Sequence, residues 1–112
     1  YNKGLKNVPG LIVPNGKNFE NNSCHLYIIR ITSNAKITRD GLFYGLQKKG
    51  IGSSVHYKPL HKFTLFRKKA ISRNSLSVSK RIYKEILSLP MYPQLTRHSQ
   101  DYVIKSIKNI FL

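Results

Sequence analysis

The stretch Cys24–Thr32 constrains the fold more than any other part of this chain. Tyr27, Ile28, Ile29, Ile31 and Thr32 are aromatic or β-branched, the types that fit a pleated, half-buried surface. Successive side chains of a strand point to opposite faces, so Cys24, Leu26, Ile28 and Arg30 share one face and His25, Tyr27, Ile29 and Ile31 the other. Both faces are largely apolar, which predicts a central strand covered on both sides. Other segments must supply its neighbours and its cover.

Leu11-Ile12-Val13 is an apolar run between two turn signals, Val8-Pro9-Gly10 and Pro14-Asn15-Gly16, and reads as a short strand. The residues before it, Tyr1–Pro9, read as the end of a segment that began upstream. Asn15–Asn22 is expected to be a polar loop. Thr38 is a good N-cap for a helix over Arg39–Lys49 with Leu42, Phe43 and Leu46 as its apolar stripe. Gly41 and Gly45 weaken that helix by about 1 kcal/mol each relative to alanine and leave room for another element to approach. Gly50 is placed to terminate it. Ser53–Tyr57 is expected to be a further strand, ended by Pro59. Phe63–Arg67 reads as a short helical turn and Lys68–Asn74 as a basic loop. Ser77 is placed to cap a helix over Val78–Ser88, where Val78, Ile82, Ile86 and Leu89 recur at helical spacing. Pro90 and Pro93 stop it. Thr96 caps a last helix, Arg97–Ile110, with Val103, Ile104, Ile107, Ile110 and Phe111 on its apolar face. The predicted order is strand, strand, helix, strand, helix, helix. That order gives an α+β domain with a small, mainly antiparallel sheet covered by helices.

At 112 residues the chain is the size of one domain, and 40% apolar residues suffice for a core. No apolar run approaches the length of a membrane span. Cys24 is the only cysteine, so no disulfide forms within the chain and a reducing compartment fits. Its expected role is that of a small buried packing residue. The chain opens on Tyr1 without a signal-peptide pattern and is expected to be cut from a longer protein. The net charge is +16, from 20 Lys and Arg against 4 acidic residues. Such a charge brings nucleic acid into consideration. The cations are spread along the whole chain, however, and one cysteine cannot make a zinc finger.

No self-contained active site emerges. Glu20, Asp40, Glu85 and Asp101 are scattered and form no evident acid/base pair. His25, His56, His61 and His98 do not follow metal-ligand spacing. Gly50-Ile51-Gly52 lacks the third glycine and the helix of a dinucleotide loop. The dense segment is Gly50–His61, which puts His56, Tyr57, Lys58 and His61 on one strand and its exit loop. By pattern alone His56 could equally be a satisfied packing histidine and Tyr57 a core aromatic.

The ordered set Gly50-Ile51, Val55-His56-Tyr57, Pro59-Leu60-His61, Leu87-Ser88-Leu89-Pro90, Pro93 and Leu95-Thr96 resembles the C-terminal domain of DegT/DnrJ-type nucleotide-sugar aminotransferases. Pro9-Gly10-Leu11 and His25-Leu26-Tyr27 extend the resemblance over nearly the whole chain. Cys24 stands where many members have an aromatic residue, Leu76-Ser77 where many have Phe-Pro, and the surface helices are basic where they are usually acidic.

The resemblance implies the small C-terminal domain, residues 1–112, of a fold-type-I PLP enzyme, with the large PLP-binding domain absent. It implies PLP in the full-length enzyme and none in this chain alone, a nucleotide-linked keto sugar as substrate and glutamate as amino donor. A homodimer in the complete enzyme, a cytoplasmic location and a role in surface-polysaccharide biosynthesis are expected on the same ground. No catalytic residue is assigned here; His56 and Tyr57, with His61 behind them, are the expected substrate contacts. A small basic nucleic-acid-binding module, or a relic or regulatory domain without catalysis, are the alternatives.

Overall fold

The computed structural model describes residues 1–14, 22–67 and 75–112. The elements are α1 (Asn2–Leu5), β1 (Leu11–Ile12), β2 (Tyr27–Ile31), α2 (Arg39–Gln47), α3 (Thr64–Arg67), α4 (Ser77–Glu85), β3 (Ile86–Leu89) and α5 (Arg97–Phe111). A 3-10 turn, Leu60–Lys62, precedes α3. The three strands form one antiparallel sheet in the order β1-β2-β3, so the β-branched run does become its centre. The fold is α+β with a small antiparallel sheet, as the sequence predicts.

The register explains the core. Leu11 pairs with Ile31, Ile29 with Leu87 and Tyr27 with Leu89. All six are buried on one face of the sheet, where Leu42 and Leu46 of α2 and Val103, Ile107 and Phe111 of α5 join them. Gly45 lets the two helices approach, since a Cβ there would lie 3.0 Å from Ile110 Cδ1. The second face carries Ile28 and Arg30 of β2, both half-buried, with Ser88 and Ile86 of β3 as their partners. Here Arg30 donates two hydrogen bonds to Glu85 at the end of α4, at 2.7 and 3.0 Å. This second face is therefore covered by a polar pair and a basic helix, rather than by a second apolar layer.

The local signals hold where they are strong. Thr38 and Thr96 cap α2 and α5 by accepting from the amides of Gly41 and Ser99, both at 3.1 Å. The expected helical turn after Phe63 is present as α3. Gly50, at φ +71°, ends α2: its own amide bonds to Gln47 O and the next amide, Ile51, reaches back to Leu46 O. This paired 5→2 and 6→1 closure satisfies carbonyls the helix would otherwise leave bare. Regular helix stops at Gln47, two residues before the predicted end.

Four expectations fail. The helix predicted over Val78–Ser88 ends at Glu85, and Ile86–Leu89 is the third strand. All four residues of that strand are buried, which one side of a helix cannot achieve, and their backbone satisfies the free edge of β2. Ser53–Tyr57 is not a regular strand: it lies along the outer edge of β3 and joins it only by the Ser54–Ser88 bridge. The bridge makes two amide hydrogen bonds, 2.8 and 3.2 Å, and Pro59 soon removes a donor. Ser77 is the first residue of α4 rather than its cap; Leu76 holds the cap position without a side-chain bond. Cys24 is exposed, at φ +51°, with its amide donating to Asn22 Oδ1 at 2.7 Å. The strand begins only at Tyr27, so Cys24 sits in the irregular segment ahead of it instead of packing. The start of the chain also forms the short helix α1, which the sequence did not announce. The loop expectations for residues 15–21 and 68–74 lie outside the described residues.

Candidate functional site: a groove on the second face of the sheet

The segment after α2 runs along the outer edge of β3, joined to it by the Ser54–Ser88 bridge, and carries the sequence-predicted residues with it. Its anchor is Ser88, which is 4% exposed. The Ser88 backbone holds Ser54, and its hydroxyl lies 2.9 Å from Nδ1 of His56. That contact uses one ring nitrogen and fixes the imidazole plane, leaving Nε2 as its second polar atom. Tyr57 follows with its ring edge-on to His56, centroids 4.8 Å apart at 71°. The residue is 70% exposed. His56 is therefore tied down from below while Tyr57 is presented to solvent. Tyr57 is thus not a core aromatic, while His56, half-buried and hydrogen-bonded, also fits the satisfied packing histidine that the pattern allowed.

His56 and Tyr57 share a shallow groove of about 410 Å³ with Pro59, Leu60, Ile82 and Tyr83. One wall is the loop and the other is α4. Pro59 then opens the 3-10 turn, with Lys62 N bonded to Pro59 O at 2.9 Å. The turn swings His61 away from His56 into a neighbouring basin lined by Lys58, His61, Lys62, Lys80 and Tyr83. Groove and basin have Lys58 and Tyr83 in common. The structure thus brings His56 and Tyr57 together and places His61 next door.

Sequence reasoning overlooked Ser88, Tyr83, Lys62 and Lys80. Ser88 was hidden because its segment reads as helix. Lys80 and Tyr83 carry a usable signal, a cation and an aromatic at i and i+3 on one face of a helix. The electrostatics are one-sided. Among the described residues the ion pairs are Arg30–Glu85 at 2.7 Å and Arg39–Asp40 at 2.6 Å, neither of which involves a lysine. Lys62 Nζ lies 4.8 Å from the Tyr83 ring centroid and Lys58 Nζ 5.1 Å from that of Phe63. Arg39 lies over Tyr83 as well, at 5.6 Å.

The described residues do not make a PLP site. A Schiff base needs a neutral amine in an enclosed pocket. Among the described residues Lys62 is half-buried and every other lysine is exposed. No group of three His, Cys, Asp or Glu among them could hold a metal ion. No described helix is long and apolar enough to cross a membrane. The groove can bind and orient a ligand, and the one lysine that lines it, Lys58, is exposed rather than enclosed.

Comparison with known proteins shows which family the chain resembles. A DegT/DnrJ/EryC1/StrS aminotransferase from Brucella abortus superposes with a TM-score of 0.76 at 35% identity, covering 99% of this chain and 28% of that one. The Spr1654 protein of Streptococcus pneumoniae in its PLP form gives a TM-score of 0.85 at 27% identity, covering 98% and 28%. The UDP-4-amino-4,6-dideoxy-N-acetyl-beta-L-altrosamine transaminase of Campylobacter jejuni is 29% identical over 110 residues, 98% of this chain and 29% of that protein. The chain thus spans less than a third of the length of the relatives it matches. Residues 1–108 match the DegT/DnrJ/EryC1/StrS aminotransferase family as a whole, and with the fold and its ordered motifs in agreement, the chain belongs to that family.

Proposed function

We propose that residues 1–112 are the small C-terminal domain of a PLP-dependent aminotransferase that places an amino group on a nucleotide-linked keto sugar. The observation that carries this is the family match over residues 1–108, made by a chain that covers only 28% of the family's solved structures. PLP in the full-length enzyme supplies the electron sink for moving the amino group, and its anchoring lysine belongs to the large domain. This chain's own residues provide one wall of the substrate site. His56, held through Nδ1 by Ser88, offers Nε2 to a sugar or phosphate oxygen. Tyr57 offers a phenol that can donate or accept and a ring for apolar contact. Glutamate is the donor, and the complete enzyme is a cytoplasmic homodimer serving polysaccharide biosynthesis.

The test is complementation with a large domain from a relative, joined in cis or supplied in trans. The complex gains a PLP absorbance band and transaminates a UDP-linked 4-keto sugar with glutamate. Tyr57→Phe and His56→Gln raise KM for the sugar nucleotide more than they lower kcat, because they act in binding. A PLP-type band from the 112-residue chain alone would sink the proposal, and so would a complex that binds PLP yet leaves every nucleotide-linked keto sugar untouched.

A further inference from the structure

Helix α4 has a groove on either side. Ser79, Ile82 and Tyr83 line the groove of His56 and Tyr57. Ser77, Lys80, Arg81 and Lys84 stand at i, i+3, i+4 and i+7, hence on one face of the helix, and line a second groove of about 600 Å³. Its opposite wall is the segment from Ile31 at the end of β2 to Arg39 at the start of α2. The two grooves have no lining residue in common. In the second groove Glu85 is held by Arg30 at 2.7 Å, and Arg39 by Asp40 at 2.6 Å. The Arg39 side chain also donates to Ile86 O at 3.3 Å and is only 10% exposed, so its charge is spent within the fold. Lys36, Lys80, Arg81 and Lys84 are exposed, and among the described residues none of them pairs with a carboxylate. These like charges repel one another, and an anionic partner relieves that repulsion.

The wall facing the cations is aliphatic. Ile31 belongs to the core, and Ala35 and Ile37 pack against it. No aromatic ring among the described residues lines the groove. A single-stranded nucleic acid gains much of its affinity by stacking bases on such rings, so its bases find no platform here. A peptide that carries both carboxylates and aliphatic side chains matches both walls. An extended peptide turns every second side chain to the same side, about 6.6 Å apart. Lys80 and Lys84 are four residues apart on α4, about 6 Å along its axis. The two spacings nearly coincide, so acidic residues at alternate positions meet successive cations of α4. The residues between them turn to the opposite side, where Ile31, Ala35 and Ile37 lie. We infer that the groove between α4 and the 31–39 segment docks an extended acidic segment of a partner protein, in which Asp or Glu alternates with aliphatic residues. The inference stands on residues outside the groove of His56 and Tyr57 and does not rest on the function proposed above.

The test is fluorescence anisotropy of labelled probes with the 112-residue chain at low salt. The probes are a peptide of four Glu-Leu repeats, a block peptide of four Glu followed by four Leu, and a thymidine pentanucleotide, whose four phosphates carry the same charge. The alternating peptide binds tightest. The block peptide binds about fivefold weaker, because it cannot place carboxylates on one wall and leucines on the other at once. Arg81→Gln and Lys84→Gln each weaken the alternating peptide about threefold, the scale of an exposed charge contact, and the pair together about tenfold. Lys36→Gln, on the facing wall, weakens it about twofold. Lys105→Gln, an exposed position on α5, leaves it unchanged. All of these positions are exposed, and circular dichroism verifies that each variant is folded. Equal affinity for the alternating and block peptides overturns the inference, because charge alone then accounts for binding. Peptide binding indifferent to Arg81 and Lys84 overturns it by placing the peptide elsewhere. A pentanucleotide that binds tighter than the alternating peptide, with an affinity that falls steeply with salt, assigns the groove to nucleic acid and overturns it as well.

Discussion

Gly10 and Gly50 have nearly the same backbone conformation, φ +76° and +71°, in different surroundings. Gly10 follows Pro9 in a turn closed by Leu11 N to Val8 O at 3.1 Å, and its carbonyl accepts from Thr32 N at 2.8 Å and Thr32 Oγ1 at 3.1 Å. A Cβ added there would overlap the backbone of Ala35 and stand 2.6 Å from its Cβ. At Gly50 the same Cβ meets nothing within 4 Å. Alanine at either site incurs the left-handed penalty of about 1–2 kcal/mol. It recovers about 0.4–1 kcal/mol because the unfolded chain loses freedom. Gly50→Ala should therefore cost about 1 kcal/mol. Gly10→Ala adds a clash against backbone that cannot swing away, worth a further 1–3 kcal/mol on the scale of overpacked sites, for a total of about 3. With a urea m-value of about 1.5 kcal/mol/M, the two midpoints should differ by roughly 1.3 M. Urea unfolding followed by far-UV circular dichroism measures this directly. Equal midpoints for the two variants, or a larger loss at Gly50, would refute the reasoning, because only the steric term separates the sites.

Ile107 is fully buried between α5 and the sheet, so Ile107→Ala should lower stability by about 2–5 kcal/mol, while Ile104→Ala, half-buried on the same helix, loses less; thermal melts of both variants rank them. Ser88→Ala removes the partner of His56 Nδ1 and should cost about 1 kcal/mol, with a changed 15N shift for that nitrogen in NMR spectra; an unchanged shift would mean that the contact does not form in solution. Burial, assisted by Tyr92, pushes the Tyr1 hydroxyl up to about 12, and burial with Tyr1 does the same for Tyr27. Unfolded tyrosines ionise near 10. The folded chain holds these protons longer, so stability is level below pH 10 and falls as pH rises from 10 to 12. Tyr1→Phe should flatten that fall in pH-dependent melts.

The candidate site was legible in part. His56, Tyr57 and His61 stood out because imidazoles and a phenol are dense between Gly50 and His61, and the structure does put the first two in one groove. What makes the groove a site lies elsewhere in the chain. Ser88 fixes His56 across 32 residues of sequence, and Tyr83 and Lys80 come from a helix that begins at Ser77. None of these is marked by spacing relative to Gly50–His61.

Local sequence was sufficient wherever one residue and its near neighbours settle the energetics. The caps Thr38 and Thr96, the turn at Pro9-Gly10, the helix stop at Gly50 and the central strand belong here. Each depends on hydrogen bonds or dihedral angles within a few residues, or on β-branched side chains that favour a pleat. Tertiary structure decided the third strand. Ile86, Leu87 and Leu89 suit a helix with Val78 and Ile82 as well as they suit a strand, since four residues are too short for a period of 2 to be told from one of 3.6. The free edge of β2 breaks the tie, because its amides and carbonyls need partners and Ile86–Leu89 supplies them. With Ile86–Leu89 in the sheet, Ser88 comes under His56, α4 ends at Glu85 beside Arg30, and the lysines of the basin meet across a face that the sequence never brings together.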